Sequence, residues 1–595
     1  MRYPKLREIA STRQMVDNFK GYNHNLRIGD GEFYDMKNMT SDYYPVLSPR
    51  KKRGVYVSDS NTQGMIAKDA LCYVDGSDFV MGEYRIAMGL STDEKDCPKK
   101  LVSMGAYVII LPDKKYINTA DLTEFGSIEA QVKTNTPVSF TLSRMDGSEY
   151  DVNYAQPEAP TEPENMTLWV DTSTVPNALK QWSESSSMWI TIATTYIKIS
   201  ATGIGKPFEK YDGIKISGLK DEVLYDNLSG NVIENTTELA ALDGAAVVWD
   251  KGDDYIVVVG ILNISRTISN SITVSRKMPN MDFVIESRNR LWGCRYGESV
   301  DGEVVNEIYA SKLGDFKNWN CFMGLSTDSY AVTVGTDGQF TGAITHLGYP
   351  LFFKENVLHK IYGDYPANIQ VQDTACRGVQ KGCDRSLAIV NEVLYYKARS
   401  GVCAYDGSLP AEVSYSLGDV RYDNAVAGSH GNKYYICMQD AEDQHHVFVY
   451  DIGKNLWHKE DDIKIDAFCS CGDEMYCATG GKILAMLGSG DKETEDVEWM
   501  VETGEIGIAS PDAKYISRLT LRMAMDIGAE VRILAKYDFS EEWEEVCVLI
   551  SENLRSFSIP IRPMRCDHMK LRIEGTGMSK IYSITKTIEQ GSELQ

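Results

Sequence analysis

Between about residues 281 and 490, polar and apolar positions recur in one order. A polar turn leads into a strand with a paired aromatic or apolar centre, and a second strand follows that ends in a turn carrying Asp or Gly. The centres are Asn289-Arg290-Leu291-Trp292, Tyr349-Pro350-Leu351-Phe352-Phe353, Val393-Leu394-Tyr395-Tyr396, Lys433-Tyr434-Tyr435-Ile436 and Glu474-Met475-Tyr476-Cys477. With Trp292, Phe352, Tyr396, Tyr435 and Tyr476 as equivalent points, the steps are 60, 44, 39 and 41 residues. A four-stranded propeller blade takes roughly 40–50 residues. The hydrophilic stretch Gly297 to Asn306 lengthens the first step. The following strands match too: Glu307-Ile308-Tyr309-Ala310, Leu358-His359-Lys360-Ile361-Tyr362, Val402-Cys403-Ala404-Tyr405 and Val447-Phe448-Val449-Tyr450. Two earlier copies stand at Leu71-Cys72-Tyr73-Val74-Asp75-Gly76 and Gly105-Ala106-Tyr107-Val108-Ile109-Ile110. Asp75-Gly76 and Asp406-Gly407 suit tight hairpins, because glycine accepts positive φ without strain.

The pattern therefore predicts an all-β chain with a six- or seven-bladed β-propeller in two parts, residues 56–127 and 276–495. Residues 1–55 read as an extended segment that closes or docks the propeller. Residues 128–275 differ in character and read as an inserted β-rich domain. They hold the exposed proline-and-acid stretch from Gln156 to Glu164 and strands such as Trp189-Ile190-Thr191-Ile192-Ala193 and Tyr255-Ile256-Val257-Val258-Val259. After about 496 the period stops. Ser517 to Met523, Glu530 to Ile533 and Met569 to Ile573 alternate polar and apolar residues, as antiparallel strands solvated on one face do. This C-terminal region, 496–595, is predicted to be a β-sandwich.

Composition supports strands over helices, with 34 tyrosines and 48 glycines against 18 prolines. The formal charge of −24 argues against a protein that grips nucleic acid by neutralising phosphates. It leaves open a surface past which DNA slides, and solubility is the simpler account. The 13 cysteines show no paired C-x-x-C knuckles; Cys469 and Cys471 form a C-x-C pair ahead of Cys477. They read as small buried hydrophobes kept reduced in a cytoplasm. Met1-Arg2-Tyr3-Pro4 opens a polar segment rather than a signal peptide, and no apolar run approaches the roughly 20 residues of a membrane span. Synthesis in a host cytoplasm is the expectation.

Candidate chemistry is sparse. Ser311 to Trp319 resembles a sialidase box only in running from Ser to Trp, and reads as a turn with a packing Trp. His445-His446 with Asp440, Glu442 and Asp443 reads as a hairpin tip rather than a metal site. Gly203-Ile204-Gly205 starts like a dinucleotide fingerprint, but Phe208 stands where the third glycine belongs, so a turn is expected. No catalytic residue, metal site or cofactor is assigned, and the chain is expected not to be an enzyme. The one basic run, Arg50, Lys51, Lys52 and Arg53, is a possible docking arm toward a partner or DNA; a solvated strand end is the plainer reading.

The N-terminal passage is more specific. It reads Phe19-Lys20-Gly21-Tyr22-Asn23-His24-Asn25-Leu26-Arg27-Ile28-Gly29-Asp30-Gly31-Glu32-Phe33-Tyr34-Asp35-Met36-Lys37-Asn38-Met39, then Pro45-Val46-Leu47-Ser48-Pro49-Arg50. This order resembles the opening of podophage tail nozzle proteins, also called tail tubular or packaged-DNA stabilization proteins. Arg290-Leu291-Trp292-Gly293, Ile308-Tyr309-Ala310-Ser311 and Phe316-Lys317-Asn318-Trp319 look like a blade of the same group. The resemblance implies a virion structural protein of the phage tail. It implies a homo-hexameric ring joined to the head-tail adaptor below the portal, with genomic DNA leaving through its lumen. The alternative is a carbohydrate-binding or glycan-degrading propeller protein at the tail tip.

Overall fold

Trp292, Phe352, Tyr396, Tyr435 and Tyr476 occupy the same place in five successive sheets of the computed structural model, the second strand of each. The strands Leu71–Asp75 and Tyr107–Leu111 hold that place in two earlier sheets. The structure describes residues 11–134, 137–219, 224–225, 232–233, 237–298, 302–492, 496–508, 513–538, 540–550 and 554–590. Residues 1–10, and 299–301 within the hydrophilic stretch of the first long repeat, lie outside them.

Seven antiparallel sheets stand in a ring, at 62–87, 100–127, 283–333, 342–375, 388–412, 423–459 and 467–485; we call them blades one to seven. Their first strands are the inner ones. Thr62–Ala67 touches Lys100–Met104 on one side and Ala467–Cys471 on the other, and Phe283–Ser287, Gly342–His346, Ala388–Val390 and Asp423–His430 complete the circle. Each blade is sandwiched between two others, so its second strand is buried on both faces. That is why Arg290–Cys294 and Leu394–Ala398 are continuously buried instead of alternating.

The N-terminal segment does two jobs. Gly54–Val57 pairs with Lys482–Ala485 and supplies the fourth strand of blade seven, closing the ring. The part before it does not dock as a lone arm, however. Ser11–Val16 pairs with Ser579–Gln590, and Glu32–Lys37 pairs with Glu498–Thr503. These N-terminal strands complete the two sheets of the C-terminal sandwich. The alternation read in that region is real: along Lys514–Met525 the apolar positions Ile516, Leu519, Leu521, Met523 and Met525 are buried.

The inserted region leaves blade two after Ser127 and re-enters blade three at Phe283. Its ends lie side by side, with Ala130 opposite Arg276. Two sheets, of four and five strands, enclose a core that includes Phe140, Ile199, Ile216, Ile256, Val258 and Val274. A third sheet of four strands, 154–191, packs Leu168, Val170 and Leu179 against Leu142. The proline-and-acid stretch links the parallel strands Tyr154–Gln156 and Leu168–Asp171 of that sheet, and most of its residues are exposed.

Candidate functional site

The passage from Phe19 to Arg53 is where three parts of the molecule meet. Phe19, Tyr22, Phe33, Met36 and Met39 are buried in one continuous core with residues of blades four to six and of the C-terminal sandwich. Gly21 has φ +88°, and a Cβ there would lie 2.2 Å from the carbonyl oxygen of Trp457, so only glycine lets the segment reach blade six. Gly31, at φ +90°, is pressed in the same way against the carbonyl of Asn18, 2.4 Å from where its Cβ would stand. Asn38 ties all three parts. Its N–H donates to the carbonyl of Glu460 in the link after blade six. Its Nδ2 donates to the carbonyl of Glu498 in the sandwich at 2.7 Å, and its Oδ1 accepts from Arg50 Nε at 2.8 Å.

The basic run beside it turns inward. Arg53 is 1% exposed and forks onto two carboxylates, Nη2 to Glu460 Oε2 at 2.6 Å and Nη1 to Asp461 Oδ2 at 2.5 Å. Arg50 reaches the same Asp461 at 3.4 Å, and Lys52 pairs with Asp496 at 2.8 Å. Lys51 is exposed. Arg50 and Arg53 are therefore engaged inside the molecule, and of the four residues Lys51 is the exposed one.

The same segment clamps the link between blades five and six. The N–H of His24 donates to the carbonyl of Ser416 at 2.8 Å, and Asn25 Nδ2 donates to that of Tyr415 at 3.0 Å. Behind this link opens a polar cleft of about 710 Å3. Lys397 forms its floor: it is 3% exposed and donates to Gln380 Oε1 and the carbonyl of Ala398, both at 2.7 Å. Burial holds its ammonium below the ordinary lysine value, against the pull of Asp423 and Glu412. Gln380 in turn donates to Asp423, and Glu412 pairs with Arg377 at 3.1 Å. Arg399, Asp419 and Arg421 are exposed along the walls. A second hollow of about 700 Å3 adjoins it, lined by His24, Arg27, Tyr34 and Val420, with Leu26 94% and Tyr415 78% exposed. Cations, carboxylates and an exposed ring in one cleft can bind a polyhydroxylated or zwitterionic ligand.

The remaining candidates fall elsewhere. In the Ser311–Trp319 turn, Trp319 is buried and its Nε1 donates to the carbonyl of Phe316 at 3.0 Å. Asn318 of that turn clasps the inserted region, donating to Asp212 Oδ1 at 2.9 Å and accepting from the N–H of Gly213 at 2.8 Å. Gly203 to Phe208 is a turn that plants Phe208, fully buried, in the core of the insert. His446 lies between two carboxylates, Nε2 to Asp440 Oδ2 at 2.7 Å and Nδ1 to Asp462 Oδ1 at 3.0 Å. Burial opposes its charge, but these two hydrogen bonds outweigh it and raise its pKa above 6.5. Asp440 is held below 3.8 chiefly by that bond; Asp462 falls to about 2 despite burial, under His446 and Lys459. Among the described residues no group of three or more His, Cys, Asp or Glu side chains is arranged to hold a metal. Burial pushes the Cys477 thiol up to about 12 and that of Cys403 to about 11. No described helix is long and apolar enough to cross a membrane.

No family model and no curated protein matches the chain. Solved structures do. An exo-β-1,3-galactanase from Phanerochaete chrysosporium is 7% identical over 51% of this chain and 94% of its own, with a TM-score of 0.19. A glycoside hydrolase is 10% identical over 51% and 96%, with a TM-score of 0.20. A mutant of Trypanosoma rangeli sialidase that displays trans-sialidase activity is 7% identical over 99% and 97%, with a TM-score of 0.19. These neighbours are enzymes and stand against the expectation that the chain is not one, but their likeness assigns no activity to this chain. At such identities and TM-scores, no residue role passes from them to this chain.

Proposed function

We propose that the chain is a structural component of a bacteriophage tail, of the nozzle kind, that assembles into a ring around the path of the genome. The observation that supports this reading is the position of the segment from Phe19 to Arg50. The residues that resemble nozzle proteins are the ones that join sandwich to propeller through Asn38, Gly21 and Phe33. In this reading the head-tail adaptor and further copies of the chain are its partners, and DNA passes without sequence-specific contact. Electron microscopy of the purified protein, and of the intact particle carrying it, tests the reading. The expected result is rings with an open lumen, placed below the head. Particles without rings, with the chain located at the tail tip, would overturn it.

A second reading rests on the cleft between blades five and six. Its buried Lys397, exposed arginines and carboxylates suit a saccharide at the tail tip, with Tyr415 as a stacking ring. Here the protein binds or cleaves host glycan, and Tyr415→Ala weakens retention on host polysaccharide about tenfold, the equivalent of roughly 1.4 kcal/mol. Absence of both retention and glycan cleavage removes this reading.

A further inference from the structure

Among the described residues, no strand pairs with one side of the C-terminal sandwich. One sheet ends in the strand Glu544–Leu549, paired only with Glu530–Tyr537, and the other ends in Arg555–Ile559, paired only with Lys514–Met525. Both edges belong to the side away from Gly21–Tyr22 and Ser11–Val16, the strands on the opposite edges of the two sheets. Free strand edges present unpaired N–H and C=O groups and are templates for another strand.

The two edges carry opposite charge. Glu541, Glu542 and Glu544 are exposed at the start of the first edge, and Glu545 pairs with Arg532 on the neighbouring strand at 2.7 Å. Arg562 and Arg565 are exposed on the second edge. Among the described residues neither arginine has an anionic partner, and Glu541, Glu542 and Glu544 have no cationic one. The registers place these charges at one end of the sandwich: Glu544 lies opposite Ala535, which faces Leu571, and Arg565 lies opposite Tyr515. The other end exposes apolar side chains beside Asp526 and Arg555. Ile550 follows Leu549, which is opposite Val531; Leu554 precedes Arg555, which is opposite Met523; and Ile527 sits in the turn between those two partner strands. Ile527 is 84%, Ile550 71% and Leu554 50% exposed.

We infer that this side is the contact surface for a second copy of the chain, about a two-fold axis parallel to the strands. A rotation of that kind brings the acidic edge of one copy against the basic edge of the other, twice. It keeps like ends together, so the apolar ends meet and the charged ends meet. It also sets Glu544–Leu549 antiparallel to the partner copy's Arg555–Ile559, the direction in which unpaired edges bond well. Each sheet of one copy then continues into the opposite sheet of the other. An isologous contact needs a surface complementary to itself in this way.

The inference goes beyond the tail reading and does not rest on it. Sedimentation of the full chain across micromolar concentrations is expected to show association in even multiples of the monomer mass of 66.5 kDa, whether as free dimers or as rings built from them. The double variant R562E/R565E, which leaves the core untouched, weakens the dimer at least tenfold. Adding E541K/E544K to that chain restores it, which a folding defect would not allow. A monomeric wild type, or a dimer indifferent to these reversals, overturns the inference. A ring insensitive to the reversals would overturn it while leaving the tail reading standing; a charge-dependent dimer in a protein that never forms rings would do the opposite.

Discussion

The two sandwiches are built alike and held differently. The inserted one draws its core from Val138 to Val274, a single stretch of chain whose ends lie side by side. The C-terminal one borrows strands from residues 11–37, and its core runs without a break into blades four to six. The insert is tied to the propeller by a polar clasp at Asn318 and Asp212, and the other by buried aromatic rings. A domain's independence thus depends less on its architecture than on where its chain enters, leaves and is completed.

One pair of cavities would break the comparison if it is wrong. Phe33→Ala and Phe140→Ala each remove a fully buried ring and are expected to cost about 3–5 kcal/mol. Phe33→Ala should lower the main thermal transition, because its core is shared with the propeller. Phe140→Ala should lower a separate transition and leave the main one in place; calorimetry of both variants distinguishes them. A smaller effect is expected from excising residues 130–276 and joining the ends with a short glycine-serine link. The propeller should remain folded, its midpoint within about 4 °C of the full chain, as read by circular dichroism.

The smallest expected effect is a dependence on pH. His446 ties the hairpin of blade six to Asp462, near Asp35 of the N-terminal segment, with Lys459 beside it and Tyr422 packed on its ring. Because its folded pKa is raised above 6.5, its contribution is fully present below that value and is lost as pH rises through the folded pKa. The midpoint difference between wild type and His446→Asn should therefore be widest near pH 6, at about 1 kcal/mol, and shrink toward pH 8. A gap that widened with pH would contradict the ion cluster.

Much of the propeller was legible because its second strands are apolar on both faces. Leu394-Tyr395-Tyr396 and Leu351-Phe352-Phe353 stand out in any sequence. Closure by the N-terminal segment was expected, but which strand does it did not stand out: Gly54-Val55-Tyr56-Val57 is short and follows a basic run that draws attention to charge. Burial of Arg53 depends on Glu460 and Asp461, some 400 residues later, and no local pattern announces that pairing. The cleft was hidden for the same reason, since Asn25, Lys397 and Arg421 reach it from separate stretches. The alternation in Ser517 to Met523 marked the sandwich, but that Glu32–Lys37 completes it follows from topology alone.

Closure by Gly54–Val57 also sets a timetable. Its partner Lys482–Ala485 leaves the ribosome some 430 residues later, which at about 5–20 residues per second is roughly 20–90 s. For that interval the first blade has one face uncovered and the N-terminal strands have no sheet to join. The nascent chain must keep these apolar strands from pairing with neighbours on the same polysome. Occupancy by chaperones is therefore expected to peak on the early blades and to fall once residue 485 has emerged.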